Sequence, residues 1–539
     1  MFFGWRARLH YWSRQTDALK KAALGIVATG FGSAWLFLMT VPETRPAPVP
    51  DPVEQGLRNA WQRLHRATSA DPRELGQWLR DLLPHADHLC DAAGVDYPTW
   101  ETFQKAGRVA AYDVRGLVQQ HAGGAEAARM FEDFVQVYLA KNDSSARDAI
   151  KRLQERAWQP TPPPMANELH AAVLIRAQDQ GGALAAFVRE ARLFDDALVA
   201  REDALRLALE MKDTETLREL VSMPGGLAAM APRLQYQAGE QLQDPWLMGT
   251  GLLRHRLTSL HFKVALLAGF AAALWYAILV LQSAPRRWRW LLPVAPLLAG
   301  MGSVWPALWM GAWQETTLQM QEDAPFPHDL WYFVMGVGLR EELAKLAVFA
   351  LFLPWLLWRR APGLALMTGA FVGLGFALDE NIGYYERFGG GVALVRFLSA
   401  NFLHAALSGM AAHALYDLLR SRFARADKFI ATFLTVVAVH GLYDYAAGKE
   451  APGMNYLLMI VLAFTAWQFL DLLEHEAPGA RQLVSPAAVF LIGVAILIAM
   501  VFWLSAMETG SLHGLYAAAA DCVTILPLGF IYWRRLDHA

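Results

Sequence analysis

Four consecutive apolar stretches of this chain carry ionisable side chains at helical spacing: Glu341-Glu342-x-x-Lys345, Glu380-Asn381, His404-x-x-x-Ser408 and His440-x-x-x-Asp444. Carboxylates beside imidazoles serve general acid–base catalysis, metal ligation, or proton and ion relays. A charged group at a bilayer centre costs roughly 2.5–3.5 kcal/mol on insertion-based scales, so four such stretches in a row need a compensating use. Salt bridges that only hold helices together are the bland alternative.

Spacing sharpens the chemistry. Lys345 is four residues from Glu341 and three from Glu342, so on a helix it reaches either carboxylate. Two adjacent acids in apolar surroundings repel each other, and a lysine partner keeps one ionised, as a general base requires. The same four-residue step puts Asn401, His404 and Ser408 on one helical stripe and His440 beside Asp444 on another. Asp444 can then accept from one imidazole nitrogen and turn the other toward a substrate or a metal.

The elements that must position these groups are membrane spans. The 539 residues are 55% hydrophobic, with a mean hydropathy of +0.22, too apolar for an ordinary soluble enzyme of this length. Apolar stretches long enough to cross a bilayer fall at 260–282, 290–312, 330–357, 362–383, 393–419, 428–447, 454–473, 484–505 and 513–533. The run Ala22 to Met39, preceded by Arg6, Arg8, Arg14, Lys20 and Lys21 and followed by no small-x-small cleavage site, reads as an uncleaved anchor. The expected architecture is an all-α polytopic bundle of about ten spans. Its parts are a basic cytoplasmic N-terminus (1–21), the anchor (22–41), a helical domain (42–255) and a nine-span region (260–535) with its motif core at 330–447.

The helical domain opens on the proline-rich linker Pro42 to Pro52. Apolar residues then recur at helical spacing in Leu57-Trp61-Leu64, Leu75-Trp78-Leu79-Leu82 and Met130-Phe131-Phe134-Val137-Tyr138. Ala171 to Val221 reads as paired helices broken at Gln180-Gly181-Gly182 and Lys212-Asp213. It has a distant likeness to tetratricopeptide-type repeats but no clean 34-residue period, and an irregular bundle fits it as well. His85, His88 and His170 read as surface or packing residues.

Charge placement gives an orientation. With a cytoplasmic N-terminus, Arg286-Arg287-Trp288-Arg289, Arg359-Arg360, Arg420 to Lys428, Arg481 and Arg534-Arg535 all fall inside, and the opposing loop Gln314 to Asp329 has four acids and no Lys or Arg. Arg254, Arg256 and Lys263 dissent beside the large domain. Residues 42–255 are then extracytoplasmic and the C-terminus is cytoplasmic. Helical rise puts Glu341 and Glu342 roughly 16–18 Å below the outer boundary, His404 roughly 17 Å below it, and His440 roughly 18 Å above the inner one, while Glu380 comes out shallower. Lys+Arg 48 against Asp+Glu 50 leaves no basic excess and gives no sign of a nucleic-acid partner. Cys90 and Cys522 lie in unlike environments, which argues against a disulfide.

The ordered set Glu341-Glu342-x-x-Lys345, Phe376-x-x-x-Glu380-Asn381, His404-x-x-x-Ser408 and His440-x-x-x-Asp444 resembles the motifs of the PrsW family of intramembrane proteases. That family is related to the CAAX-processing and bacteriocin-processing membrane proteases, whose first motif is a similar Glu-Glu pair. The resemblance covers 330–447 and departs at Ala412, where the third motif continues to a glycine; Gly409 stands nearby. It implies hydrolysis of membrane-associated proteins in a bacterial inner membrane, with anti-sigma factors as one substrate class; the outer helical domain lies outside the resemblance, and a substrate selector, a gate or a partner-binding module is its expected role. By the same resemblance Glu341 or Glu342 activates a water and Lys345 holds the pair's charge. His404 and His440 ligate a divalent metal or stabilise the oxyanion, and Glu380 and Asn381 add a ligand or hydrogen bonds. Glu380, His404 and His440 are the implied metal set and zinc the metal such donors suit, although the chain has no His-Glu-x-x-His template and a metal-free glutamate mechanism is equally open.

Other polar residues have plainer readings. His413, with Asp417 four residues on, faces away from His404 and suits a helix-to-helix bond; Asp521 has no evident partner. Gly369-x-x-x-Gly373 and Gly375 permit close helix approach, and Trp331, Tyr332 and Trp533 suit interfacial anchoring. An ion-coupled transporter and a catalytically silent receptor are the alternatives. The absence of a visible inverted repeat weighs against the first.

Overall fold

A computed structural model describes residues 2–40, 71–85, 114–139, 143–226, 230–258, 260–282, 290–449, 453–476 and 484–538. The proline-rich linker, the Leu57-Trp61-Leu64 pattern, His88, Cys90, Arg286 to Arg289 and Arg481 lie outside the described residues. The regular structure described is helical throughout, as expected. The chain forms two compact units, residues 45–251 and residues 1–44 with 252–539.

In the first unit the apolar periodicity becomes a core: Leu75, Trp78, Leu79, Leu82, Phe131 and Phe134 are fully buried together. Aspartates start its helices. Asp71, Asp179 and Asp213 accept from the N–H of Glu74 (3.1 Å), Gly182 (2.9 Å) and Thr216 (3.1 Å), satisfying donors that a helix N-terminus leaves free. Because Asp179 caps Gln180–Leu193, Gln180-Gly181-Gly182 is that helix's first turn. The break lies just upstream, at Gln178 with φ 61°. The helix pairs Ala166–Arg176 with Gln180–Leu193, Leu198–Met211 with Thr214–Ser222, and Pro232–Leu242 with Pro245–Thr258 begin 32 and 34 residues apart. That spacing is close to the tetratricopeptide period, although no regular side-chain pattern announces it. Two buried carboxylates tie the unit together. Glu190 accepts from the N–H of Met165 (2.7 Å) and Asn167 (3.2 Å), and Glu168 and Asp203 both accept from Arg80. Burial pushes the Glu168 carboxyl up and the Arg80 guanidinium opposes that shift.

The second unit contains nine helices long and apolar enough to cross a membrane among the described residues: Thr16–Thr40, Phe262–Gln282, Val294–Thr317, Pro362–Phe388, Gly390–Arg420, Ala426–Gly448, Met454–Glu476, Pro486–Thr509 and Leu512–Leu536. Each overlaps an expected span. The tenth expected span, 330–357, is a composite: a π-helical stretch Tyr332–Gly338 runs into the helix Leu339–Ala350, and Leu353–Arg359 follows after a break. The Glu-Glu pair and Lys345 sit there, which lowers its apolarity. Wide turns of this kind concentrate at functional sites.

Glycines set how closely these helices meet. Pro362–Phe388, called here the glycine helix, presses Gly369 and Gly373 against Ala400–Arg420. A Cβ on Gly373 would overlap the His404 carbonyl oxygen, and one on Gly369 would lie 2.6 Å from the Ser408 carbonyl oxygen. The Ala412 departure is absorbed here, since its methyl group faces Gly369, which has none. Gly338 and Gly441 do the same between the π-helical stretch and Ala426–Gly448, where a Cβ on Gly338 would lie 2.6 Å from the Val437 carbonyl oxygen.

Two outcomes follow for thermal unfolding of the detergent-solubilised full chain. Gly373→Ala should lower the melting temperature by an overpacking cost of about 1–3 kcal/mol, whereas Gly383→Ala, whose Cβ would meet nothing nearer than Arg256 Nη1 at 3.6 Å, should not. Arg80→Met should cost about 3–5 kcal/mol at neutral pH by leaving Glu168 buried and uncompensated. Because the folded state holds the Glu168 proton more tightly than the unfolded chain does, lowering the pH toward the ordinary carboxylate range should recover part of that loss.

Candidate active site

The Leu339–Ala350 helix turns Glu341, Glu342 and Lys345 inward, and all three are buried. Lys345 Nζ lies 2.8 Å from Glu342 Oε1 and 3.5 Å from Glu341 Oε2, with 1% of its side chain exposed. It sits 4.0 Å from the ring centroid of Phe376 on the glycine helix. It also lies 2.8 Å from His404 Nδ1 on Ala400–Arg420. An ammonium only donates, so His404 Nδ1 accepts, and the ring proton stands on Nε2, which donates to Glu380 Oε2 at 3.0 Å.

His440, on Ala426–Gly448, closes the cluster. Its Nδ1–H donates to Glu342 Oε1 at 2.8 Å, which leaves the Nε2 lone pair facing inward. Nε2 stands 3.5 Å from Glu341 Oε2 and 3.3 Å from Asp444 Oδ2. Neither contact is a hydrogen bond: Glu341 Oε2 and His440 Nε2 are both buried without a hydrogen-bond partner. Ser408 Oγ completes the surroundings of Glu342 by donating to its Oε2 at 3.5 Å. Glu342 is thus held by Lys345, His440 and Ser408, while Glu341 Oε2 has only the longer ion pair with Lys345 and no hydrogen bond.

Every residue singled out in the four motifs reaches this cluster or its edge. Glu380, expected to be shallow, lies against His404, because Arg396 at 2.5 Å draws it in from the far side. Arg396 was missed by sequence reasoning. It also donates to Asn381 Oδ1, and Asn381 Nδ2 donates to Asn401 Oδ1. Its signal in the sequence was available: an arginine inside the apolar run 393–419, with a buried acid in the preceding span to neutralise it. His413 lies apart from the cluster, its Nε2 3.3 Å from Glu476 Oε1 on another helix but without a hydrogen bond. Asp521 is exposed on the last long helix.

The cluster suits a cation. Glu341, His404 and His440 each offer a ligand atom within 4.8 Å of the others, and the two atoms without a hydrogen bond are acceptors that face each other across a buried gap. Two imidazoles and a carboxylate form a donor set that holds catalytic zinc in hydrolases. The structure puts Glu341 in this triad where the sequence reading had Glu380, which stands instead behind His404 as its hydrogen-bond partner.

Comparison with family models finds a match over residues 265–468, to the PrsW family intramembrane metalloprotease. No curated protein and no solved structure matches the chain. The matched residues run from the second long apolar helix to the seventh and include all four motifs. Residues 265–468 are therefore similar to the PrsW family intramembrane metalloproteases, and the match supports a protease that works in the membrane.

Proposed function

We propose that the chain is a zinc-dependent endopeptidase that cuts membrane-anchored regulatory proteins, of which anti-sigma factors are one example, at the cluster formed by Glu341, His404, His440 and Asp444. The observation that carries this reading is the facing pair of buried acceptors that lack a hydrogen bond, Glu341 Oε2 and His440 Nε2, beside His404. The metal would be held by Glu341, by His440 through Nε2 and by His404 through Nδ1, which Lys345 would release to it, and when bound it would polarise the scissile carbonyl and activate the attacking water as a Lewis acid.

The remaining residues have work of their own. Glu342 fixes the His440 ring through Nδ1, and Glu380 fixes His404 through Nε2, so each imidazole has a carboxylate behind it. Arg396 keeps Glu380 in place, and Lys345 balances the charge of the Glu-Glu pair. Asp444 has 22% of its side chain exposed, and its Oδ2 lies 3.3 Å from His440 Nε2 without a hydrogen bond. Its Oδ2 would take the proton of the attacking water and return it to the leaving amide nitrogen.

The same reading places the N- and C-termini in the cytoplasm of a bacterial cell and residues 42–255 outside it. Support comes from the charge asymmetry of the loops. A helical outer domain built from stacked pairs suits the selection or gating of a protein substrate.

Substitutions separate these roles in the purified enzyme reconstituted with a membrane-anchored reporter substrate. Glu341→Gln and His440→Ala should lose both cleavage and bound zinc, measured by elemental analysis. Asp444→Asn should keep the zinc and lose kcat by about 10²–10⁴-fold. Glu342→Gln should cost about 10–100-fold in metal affinity or activity. Chelation should abolish cleavage and added zinc restore it. Full activity after the metal has been stripped would falsify the zinc reading and leave Glu341 as the base of a metal-free mechanism.

A further inference from the structure

The cluster uses one face of the glycine helix, where Gly369, Gly373, Phe376 and Glu380 align. Met367 and Phe371 point from the opposite face, at about 100° per residue. There they border a cavity of about 560 Å³, walled by Leu292, Pro296, Phe352 and Leu364 as well. Two cations stand at its margin. Arg359 is stacked beside the rings of Trp358 and Trp355, 4.9 and 5.8 Å from their centroids. Arg360 follows it in the left-handed conformation (φ 52°) that ends Leu353–Arg359. Both arginines are exposed, and among the described residues neither forms an ion pair with a carboxylate. One acid, Glu476, also lines the cavity, and its Oε1 lies 3.3 Å from His413 Nε2. The positive end of the glycine helix, Pro362 to Leu364, belongs to the same wall.

An apolar chamber with a doubly cationic margin at the ends of membrane helices suits an amphiphile with an anionic head. We propose that this cavity binds one anionic phospholipid, its phosphate against Arg359 and Arg360 and an acyl chain along Leu364, Met367 and Phe371. Guanidinium–phosphate pairing gives the head its preference, and basic pockets between spans on the cytoplasmic side recognise such head groups. A free phosphate would leave the apolar walls uncovered, and a zwitterionic lipid would forgo the charge match.

Native mass spectrometry of the full chain, released from nanodiscs of mixed phosphatidylcholine and phosphatidylglycerol, tests this. The wild type should retain phosphatidylglycerol in preference to phosphatidylcholine. The double variant Arg359→Ala/Arg360→Ala should hold it about 30-fold less tightly, the worth of two charges near an anionic surface, and Arg359→Lys/Arg360→Lys should keep most of the binding. Ala295→Trp, an exposed position that lines the cavity, should exclude the lipid while zinc content stays at the wild-type level, which separates a filled cavity from a misfolded chain. Equal retention of both lipids, retention unchanged in the arginine and tryptophan variants, or equal thermal stabilisation by inorganic phosphate would each overturn the proposal.

Discussion

The second unit is organised around one buried ammonium. Lys345 is almost wholly enclosed, and a charge in that position has to be met by acceptors. Glu341 and Glu342 come from its own helix, His404 from Ala400–Arg420, and a π face from Phe376 on the glycine helix. Three helices are therefore obliged to meet at one point. His440 joins through Glu342, the carboxylate that Lys345 already holds, so the fourth helix is placed indirectly by the same cation. The charges that looked costly in separate spans compensate one another once those spans pack.

Close approach makes this possible. Gly369 and Gly373 let the glycine helix touch the backbone beside His404 and Ser408, while Gly375 and Gly300 let it touch Val294–Gly302 on its other side. The helix is held between two neighbours at backbone distance, and Glu380 is carried to a fixed place at its far end. Arg396, from the short helix Ala393–Leu398 that precedes the turn at Ser399, supplies the countercharge there. The cluster is thus built inward from helix faces that carry no side chain and outward from ion pairs.

Much of this was legible in the sequence. The four motifs, the reach of Lys345 to both carboxylates, the nearness of His440 to Asp444 and the packing role of Gly369 and Gly373 follow from helical spacing, which is local, whereas the hydrogen bond expected from His440 to Asp444 goes to Glu342 instead. What depended on contacts between spans was harder to read. The contact of Glu380 with His404 was not legible because counting residues from a span boundary ignores tilt and the pull of Arg396. Glu341 and Glu342 could not be told apart, because only the position of His440 shows which carboxylate is already engaged. The 32- and 34-residue spacing of the helix pairs in residues 166–258 was hidden because it resides in helix lengths and aspartate caps, with no recurring side-chain signature.

The π-helical stretch Tyr332–Gly338 has a consequence for how this site is encoded. A π turn takes up more residues than an α turn, so it resets the angular phase of everything after it. Each residue of α-helix is worth about 100° of rotation. One residue fewer between Tyr332 and Gly338 would keep the span apolar and the Glu-Glu-x-x-Lys spelling intact, yet swing both carboxylates off the face that meets His404 and His440. The chain therefore stores its chemistry partly as phase: the same residues, one step out of register, would fill a bundle without making a site.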